Sequence, residues 1–239
     1  MLYAINVENA HLYGDVLPQL YRLRYRQFKE RQGYSVSVYK DMEHDQYDTL
    51  ATVHLVWLDA HGIVRGCSRL NPTDRPYMLK DLWPEMVQGS LPLSPTIWEG
   101  TRICIEKNLP PALRERIKWE IILGYLEFGL ENGIEKYIGV MQNFIWHRVF
   151  IQSGWGAEYL GDDCLIDGIR TRAGQVIVSK EAQERVRNKT GIHEKVLCNH
   201  YKAGLVSPTN APDAPLDGNR AHLTNNAVFT EIIPLRRLA

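Results

Sequence analysis

Charged residues at the ends of predicted strands are the feature that most constrains this chain. Residues 41–71 place two carboxylates before a pair of apolar segments and an arginine at the end of the second segment. The segment WEGTR at residues 98–102 adds one more residue of each charge. Charge at the strand ends of a buried sheet is costly unless it is paired with opposite charge or with a charged ligand. The sequence therefore predicts a site for a zwitterionic substrate, built by Asp45, Asp48, Arg69, Glu99 and Arg102.

The hydrophobic pattern predicts alternating strands and helices. Residues 52–58 and 63–70 are β-branched and apolar around an Asp-Ala-His-Gly turn, which predicts a hairpin. Further strands are predicted over residues 2–7, 98–106, 137–141 and 174–179. Helices are predicted over residues 15–31, from Pro110-Pro111 to Asn132-Gly133, over 144–152 with Asn143 as N-cap, and over 180–189. This order predicts a single-domain α/β fold, an αβα sandwich around a mixed sheet.

The first predicted helix carries an arginine on its apolar face. Arg24 shares spacings of three and four with apolar residues, namely Leu17, Leu20, Tyr21 and Phe28. Such an arginine either extends to the edge of the face or reaches an internal anion. The other basic residues of this helix lie on its remaining faces, where they form a solvated surface or contact an acidic partner; they are Arg22, Arg26, Lys29 and Arg31.

Two irregular stretches separate the predicted elements. Residues 33–48 have no sustained period, and loops of this length are usually functional or disordered. Residues 71–95 contain several prolines and large apolar residues, including Trp83. Residues of this kind either wall a pocket or pack a surface loop.

Length and composition predict one domain with a tail. The chain has 239 residues, close to the upper limit for one hydrophobic core. After about residue 200 it is rich in Pro, Asn and Asp, and it has too few large apolar residues to fold alone. We expect a domain over residues 1–200 and an extended appendage over 201–239, in which residues 229–235 form a docked strand or an apolar anchor.

Charge, cysteine spacing and missing motifs exclude several classes. The 28 basic and 28 acidic residues balance, which argues against a nucleic-acid or membrane partner recognised by bulk charge. The four cysteines lack CxxC spacing, so neither a zinc site nor a disulfide framework is expected. The sequence has no signal peptide and no run of about 18 apolar residues, which predicts a cytoplasmic protein. P-loop, GxGxxG, GxSxG and HExxH motifs are also missing, which argues against nucleotide hydrolysis, Rossmann cofactor binding, serine esterases and zincins.

Four motifs in order resemble one enzyme family. They are R-x-x-x-F at Arg24 and Phe28, D-x-x-D at Asp45 and Asp48, GCSRL-x-PT around Arg69, and E-G-T-R from Glu99 to Arg102. These motifs resemble those of the acyl-homoserine-lactone synthases, the autoinducer synthases of bacterial quorum sensing. The resemblance extends over the surrounding chain, from about residue 4 to 180. The resemblance implies a fold similar to the GCN5-related N-acyltransferases, with two splayed strands that admit a pantetheine thioester. It also implies S-adenosyl-L-methionine as a substrate rather than a cofactor, an acyl-carrier-protein or acyl-coenzyme A donor, and no metal.

The resemblance implies a role for each site residue. Glu99, at a strand bulge, is the expected general base, although an ion pair with Arg69 or Arg102 is the structural alternative. Backbone N–H groups of the bulged strand near residues 100–104 would contact the oxyanion. Asp45 and Arg24 would hold the loop over the substrate, and Arg69 and Arg102 would organise the carboxylates. The aromatic residues expected near the sulfonium are Phe28, Tyr34 and Trp83. The family commonly has tryptophan where this chain has Tyr34.

The acyl pocket and the donor surface are implied by the same resemblance. The stretch from Val140 to Phe150 borders the acyl group in the family, and it lacks the small Thr or Ser residues found in many members. Val140, Met141 and Phe144 are the expected contacts. An acidic carrier protein would bind basic residues of the first helix, or Arg114, Arg116, Lys118 and Arg148. The alternatives are another acyl-coenzyme A N-acyltransferase and a non-catalytic binding module for acyl thioesters or S-adenosyl-L-methionine.

Overall fold

The computed structural model describes residues 1–198. The predicted appendage, with residues 229–235, lies outside the described residues, and the domain boundary stays a prediction. The strands are β1 Leu2–Ile5, β2 Val38–Tyr39, β3 Met42–Glu43, β4 Val53–Leu58, β5 Val64–Pro72, β6 Ile97–Ile105, β7 Lys136–Gln142, β8 Glu158–Tyr159, β9 Cys164–Ile166, β10 Ile169–Ile177 and β11 Leu197–Cys198. The helices are α1 Val16–Arg24, α2 Met78–Leu82, α3 Pro111–Glu131, α4 Asn143–Ile145 and α5 Lys180–Thr190.

Two α-helices, α1 and α4, continue as π-helical segments. A π-helical segment, Tyr25–Arg31, extends α1, and another, Trp146–Ile151, extends α4. The predicted helix over residues 15–31 is therefore present but changes geometry after Arg24. The wider turn brings Gln27 to the buried side, where its amide donates a hydrogen bond to the carbonyl of Ile105 at 3.0 Å. Short 3-10 turns lie at Ala10–Tyr13 and Pro84–Met86.

One mixed sheet organises the described residues. Its strand order is β11-β1-β4-β5-β6-β7-β10-β8, with β9 paired to β10. The pairs β1–β11 and β6–β7 are parallel, and the other pairs are antiparallel. A parallel pair needs a crossover connection, and α3 supplies it between β6 and β7.

Helices cover both faces of this sheet. Side chains alternate between the faces along a strand, so Leu2 and Leu55 pack in the α3 core while Ile5 and Val56 pack in the α1 core. The αβα arrangement follows from this alternation. The four cysteines are free, and two of them, Cys67 and Cys104, belong to the α1 core.

The structure differs from the sequence-based prediction in its shortest elements. The predicted loop 33–48 contains the small hairpin of β2 and β3, and the predicted irregular stretch 71–95 contains α2. Strands β8, β9 and β11 were also not predicted. Segments of two to five residues are too short for a periodic pattern to show. The last predicted strand begins earlier than expected, at Ile169 instead of residue 174.

The prediction of Asn143 as an N-cap is wrong. The N-cap is Gln142, and Asn143 is the first helical residue. Its side-chain amide instead donates a hydrogen bond to Asp163 at 2.9 Å. The Asn143 side chain thus binds a residue distant in sequence and does not cap the helix.

Candidate active site

The parallel strands β6 and β7 separate at Glu99. Their paired residues are Ile97 with Lys136, Trp98 with Tyr137 and Glu99 with Ile138, whereas both strands continue beyond the last pair. Backbone groups of β6 beyond Glu99 therefore have no partner in β7. The splayed pair implied by the family resemblance is present, with Glu99 at the point of separation.

The bulge in β6 lies at Arg102 instead of Glu99. The register with β5 shifts between the pairs Cys67–Cys104 and Arg69–Thr101, which leaves an extra residue on β6. Arg102 has a φ of 55°, a left-handed conformation that costs free energy for a residue with a Cβ atom. The bulge thus lies within the stretch 100–104 that was expected to be bulged, but not at Glu99 itself. The sequence pattern does not specify the exact position, because register depends on the partner strand.

Arg24 is the buried centre of an ion network. It is fully buried, and its Nε donates to Glu43 while Nη1 and Nη2 donate to the two carboxylate oxygens of Asp48 at 2.7 and 3.0 Å. Of the two alternatives for Arg24, contact with an internal anion is therefore the correct one. Burial by itself raises the pKa of Asp48, but the hydrogen bonds and charge of Arg24 outweigh it and hold that pKa well below its usual range.

Two further arginines complete the network from adjacent strands. Arg69 on β5 binds Asp45 through Nη1 at 2.5 Å and lies 3.1 Å from Asp48. Arg102 on β6 binds Glu43 at 3.0 Å and Asp45 at 2.7 Å. Three guanidiniums therefore face three carboxylates, and the network is neutral by itself.

Glu99 stands beside this network and is held by backbone groups. Its Oε2 accepts a hydrogen bond from the N–H of Met78 at 3.0 Å, and its Oε1 accepts one from Leu79 at 2.7 Å. Burial raises the pKa of Glu99, opposed by these two N–H groups and by the charges of Arg69 and Arg102. A buried carboxylate with a raised pKa suits proton abstraction near neutral pH.

The side chain of Met78 contacts two of the arginines. Its sulfur accepts from Arg69 Nη2 at 3.0 Å and from Arg102 Nη1 at 3.4 Å. The same residue therefore contacts Glu99 through its backbone and the ion network through its side chain.

Phe28 and Tyr34 form an aromatic wall at the network. Their rings are stacked with centroids 6.4 Å apart, and the guanidinium of Arg102 lies 5.5 Å from the ring of Phe28. The Nε2 of Gln142, at the end of β7, donates to the Tyr34 hydroxyl at 2.5 Å. Trp83 packs elsewhere, against the cluster that includes Tyr77.

A small apolar cavity lies behind the point where the strands separate. Its volume is about 10 Å³, and its walls include Gly100 of β6, Tyr125 of α3 and, from β7 and α4, Met141 and Trp146. Val140 packs instead in the cluster around Tyr77, and Phe144 is 58 % exposed. Of the three predicted acyl contacts, the structure brings Met141 alone to this cavity.

Sequence reasoning missed two residues of the site. Glu43 is fully buried and binds both Arg24 and Arg102. Counting charges gave no signal for Glu43, because Asp45, Asp48 and Glu99 already balance the three arginines in number. Met78 gave no signal either, since thioethers usually pack in cores.

The described part of the chain lacks two kinds of feature. None of its helices combines the length and the apolar character needed to cross a membrane. Within residues 1–198, no three His, Cys, Asp or Glu side chains are grouped to hold a metal ion.

Comparison with known proteins places the chain among related enzymes. The autoinducer synthase family model matches residues 8–186. The isovaleryl-homoserine lactone synthase of Bradyrhizobium diazoefficiens is 30% identical over 213 residues, which cover 88% of this chain and 94% of that protein.

Solved structures show the same relationship. The structure of BjaI, a CoA-dependent acyl-homoserine lactone synthase with SAM and isopentyl-CoA, has a TM-score of 0.76 and 28% identity, covering 83% of this chain and 92% of the other. An N-acetyltransferase-like protein from Lactobacillus plantarum shares the fold, with a TM-score of 0.51 and 16% identity over 74% of this chain and 99% of its own. The predicted family and α/β fold are confirmed. This chain belongs to the autoinducer synthase family.

Proposed function

We propose that this protein is an acyl-homoserine-lactone synthase that transfers an acyl group from a thioester to the amine of S-adenosyl-L-methionine and then forms the lactone. The observation that carries the proposal is the position of Glu99, a buried carboxylate at the point where β6 and β7 separate, next to a neutral ion network. S-adenosyl-L-methionine carries a carboxylate, an ammonium and a sulfonium, so its net charge is positive. Ionised Glu99 supplies the matching negative charge.

Acylation uses Glu99 as the base. Ionised Glu99 takes one proton from the ammonium, and the neutral amine attacks the thioester carbonyl. The new C–N bond forms, the C–S bond breaks, and the second proton leaves the nitrogen for the departing thiolate. Backbone N–H groups of β6 beyond Glu99 are suited to stabilise the oxyanion, because the splayed strand β7 does not use them. Phe28 and Tyr34 present ring faces to the sulfonium, a contact worth roughly 0.5 to 2 kcal/mol.

Lactonisation needs orientation more than a further catalytic group. The carboxylate oxygen attacks the γ-carbon, and the bond to the sulfonium sulfur breaks, so that neutral methylthioadenosine leaves. Holding both groups in one bound molecule makes the step intramolecular. The Asp45–Asp48 loop, joined to Arg24, Arg69 and Arg102, keeps the site closed around the folded chain.

The acyl group is proposed to be short. The cavity behind Glu99 has room for about one water molecule, so a wall must move before any acyl chain enters. The aromatic side chains that line the cavity are held by packing, whereas the Met141 side chain is flexible and half-buried. Met141 is therefore the part of the wall that moves. The isovaleryl-homoserine lactone synthase among the relatives supports a small acyl group.

Coenzyme A is the favoured donor. Several basic residues expected to contact a carrier protein pair with carboxylates of this chain: Arg26 with Glu106, Arg116 with Glu120, and Lys118 with Glu115. This pairing reduces the positive charge available to an acidic partner. The CoA-dependent relative supports the same choice. Both substrates occur in the cytoplasm, which is the proposed location.

The test is product formation from a panel of donors. Purified protein is incubated with S-adenosyl-L-methionine and with branched, straight and aromatic acyl groups, each on coenzyme A and on acyl carrier protein. Mass spectrometry should detect equal amounts of acyl-homoserine lactone and methylthioadenosine, with short acyl-coenzyme A turning over fastest. Acylation of a different amine would favour the other N-acyltransferases, and ligand binding without products would favour a binding module.

A further inference from the structure

Two guanidinium N–H groups converge on the sulfur of Met78. Arg69 Nη2 and Arg102 Nη1 come from adjacent strands and reach the sulfur at 3.0 and 3.4 Å. The other nitrogen atoms of these side chains bind oxygen atoms: Arg69 binds Asp45 and Thr101, and Arg102 binds Glu43 and Asp45. Arg69 Nη2 also donates to the second carboxylate oxygen of Asp45, at the longer distance of 3.3 Å. Met78 is thus the weakest acceptor that these two arginines contact.

A thioether is a poor partner for two charged donors. Its sulfur is a weak acceptor, whereas a carboxylate accepts from guanidinium groups in short, charge-assisted bonds. Arg69 is fully buried, Met78 is 7% exposed, and the side chain of Arg102 is 13% exposed, so both donors have little access to water. An anion that reached this point would therefore replace two weak contacts by two strong ones. The unbranched methionine side chain has the rotational freedom to move aside.

The position of this sulfur also matches an amino-acid head group. The backbone N–H of Met78 donates to Glu99, so the candidate base for the substrate amine lies next to the residue that contacts both arginines. An α-amino acid carries its amine and carboxylate on one carbon. With the amine at Glu99, the carboxylate of the same molecule falls on the side of Arg69 and Arg102.

We propose that the sulfur of Met78 marks the binding position of the substrate carboxylate, and that the Met78 side chain withdraws when this carboxylate binds Arg69 and Arg102. Met78 then occupies the carboxylate position in the free protein, and only a ligand with a free carboxylate displaces it. The inference rests on the proposed function, because it takes S-adenosyl-L-methionine as the ligand of this site.

The first test compares ligands with and without the carboxylate. Calorimetry measures the Kd of S-adenosyl-L-methionine and of its decarboxylated analogue for the natural protein, for Met78→Leu and for Met86→Leu. Leucine keeps the volume but removes the acceptor. Met78→Leu should bind S-adenosyl-L-methionine about three- to ten-fold more tightly, because the carboxylate no longer has to displace a hydrogen bond between the arginines and the sulfur. The Kd of this variant for the analogue should be unchanged. Met86 is also buried, at 1% exposed, and packs in the cluster around Tyr77, so Met86→Leu should change neither Kd.

A second measurement observes the side chain directly. The protein has five methionines, and labelling their methyl carbons gives few NMR signals, of which Met78→Leu identifies one. S-adenosyl-L-methionine should shift the Met78 signal strongly, and the decarboxylated analogue should leave it near its starting position. This readout depends on movement of Met78 and not on the stability of a variant.

The outcomes separate the inference from the function on which it rests. Lactone formation together with equal effects of Met78→Leu on both ligands, or a Met78 methyl signal that both ligands shift equally, overturns the inference and keeps the proposed function. If the natural protein and Met86→Leu neither bind S-adenosyl-L-methionine nor form product, the proposed function fails and the inference fails with it.

Discussion

Arg24 and Asp48 form a two-bonded ion pair between α1 and the loop before β4. The guanidinium donates to both carboxylate oxygens, at 2.7 and 3.0 Å, and the Arg24 side chain is fully buried. Asp48 also accepts from the backbone N–H of Asp45 at 2.9 Å. The pair therefore sets the shape of the loop that carries Asp45 to Arg69 and Arg102.

Removing Arg24 should destabilise the fold strongly. Arg24→Met leaves Glu43 and Asp48 buried with less compensating charge, and breaking a buried pair in this way costs about 3 to 5 kcal/mol. Urea unfolding measures the loss. The control is Arg26→Met on the same helix, whose partly exposed pair with Glu106 should be worth less than about 1 kcal/mol. Similar losses in the two variants would contradict the internal network.

Replacing Glu99 should remove acylation while the protein stays folded. Glu99→Gln keeps the shape of the side chain and one of the two oxygen acceptors used by the N–H groups of Met78 and Leu79, but it removes the base. We expect kcat to fall by a factor of about 100 to 10,000. The control is circular dichroism together with the affinity for methylthioadenosine, both of which should be preserved. A kcat within about two-fold of the natural value would exclude Glu99 as the general base.

The pH profile gives a separate test of Glu99. Because burial raises its pKa above the usual glutamate value, and because the base acts when ionised, kcat/KM should fall on the acid side at a higher pH than for an ordinary glutamate. The variant Glu99→Gln should lose this acid limb. An acid limb that persists in the variant would assign it to another group.

His54 should make the fold less stable in mild acid. Burial lowers the pKa of this histidine to about 3, so it stays neutral in the folded protein. The unfolded chain takes up a proton below about pH 6.5, and stability is therefore lost as the pH falls from there toward the folded pKa, by at most about 1.4 kcal/mol per pH unit. Urea unfolding between about pH 7 and 4.5 should show a shallower slope for His54→Gln. The exposed His44, changed to Gln, should leave the slope as it is.

Tyr34 and Gln142 should act as one unit in substrate binding. Their hydrogen bond joins the loop after α1 to the end of β7. Tyr34→Phe and Gln142→Leu should each raise KM for S-adenosyl-L-methionine about two- to ten-fold, the value of one hydrogen bond, with kcat nearly unchanged. The double variant should be no worse than either single one. Additive effects would show that the two residues act independently.

Shortening Met141 should change the preferred acyl chain. Met141→Ala removes the most flexible wall of the cavity, which should raise kcat/KM for longer acyl thioesters relative to short ones. The control is Phe144→Ala, because this exposed residue does not line the cavity and should leave the ranking of donors unchanged. An unchanged ranking in Met141→Ala would place the acyl group elsewhere.

Several features of the site could be predicted from the sequence. The aspartates at 45 and 48 and the arginines at 69 and 102 indicated a buried ion network, because charges in a core require partners. The spacing of Arg24 left two alternatives open, the edge of the helix face and an internal anion. Hairpin and helix patterns also predicted the elements that carry these residues. Local spacing is sufficient for such features, since hydrophobic periodicity depends on each segment's own burial.

The tertiary structure alone decided how these groups meet. The register of β6 against β5 places the bulge at Arg102, and the short pairing of β6 with β7 places Glu99 where the strands separate. Glu43 and Met78 joined the site through contacts across the chain, from a two-residue strand and a five-residue helix too short to show a pattern. Strand register and side-chain convergence depend on partners distant in sequence. The sequence therefore indicated that charges near residues 45–48, 69 and 99–102 share a buried site, while the fold added Glu43 and decided which atoms meet there.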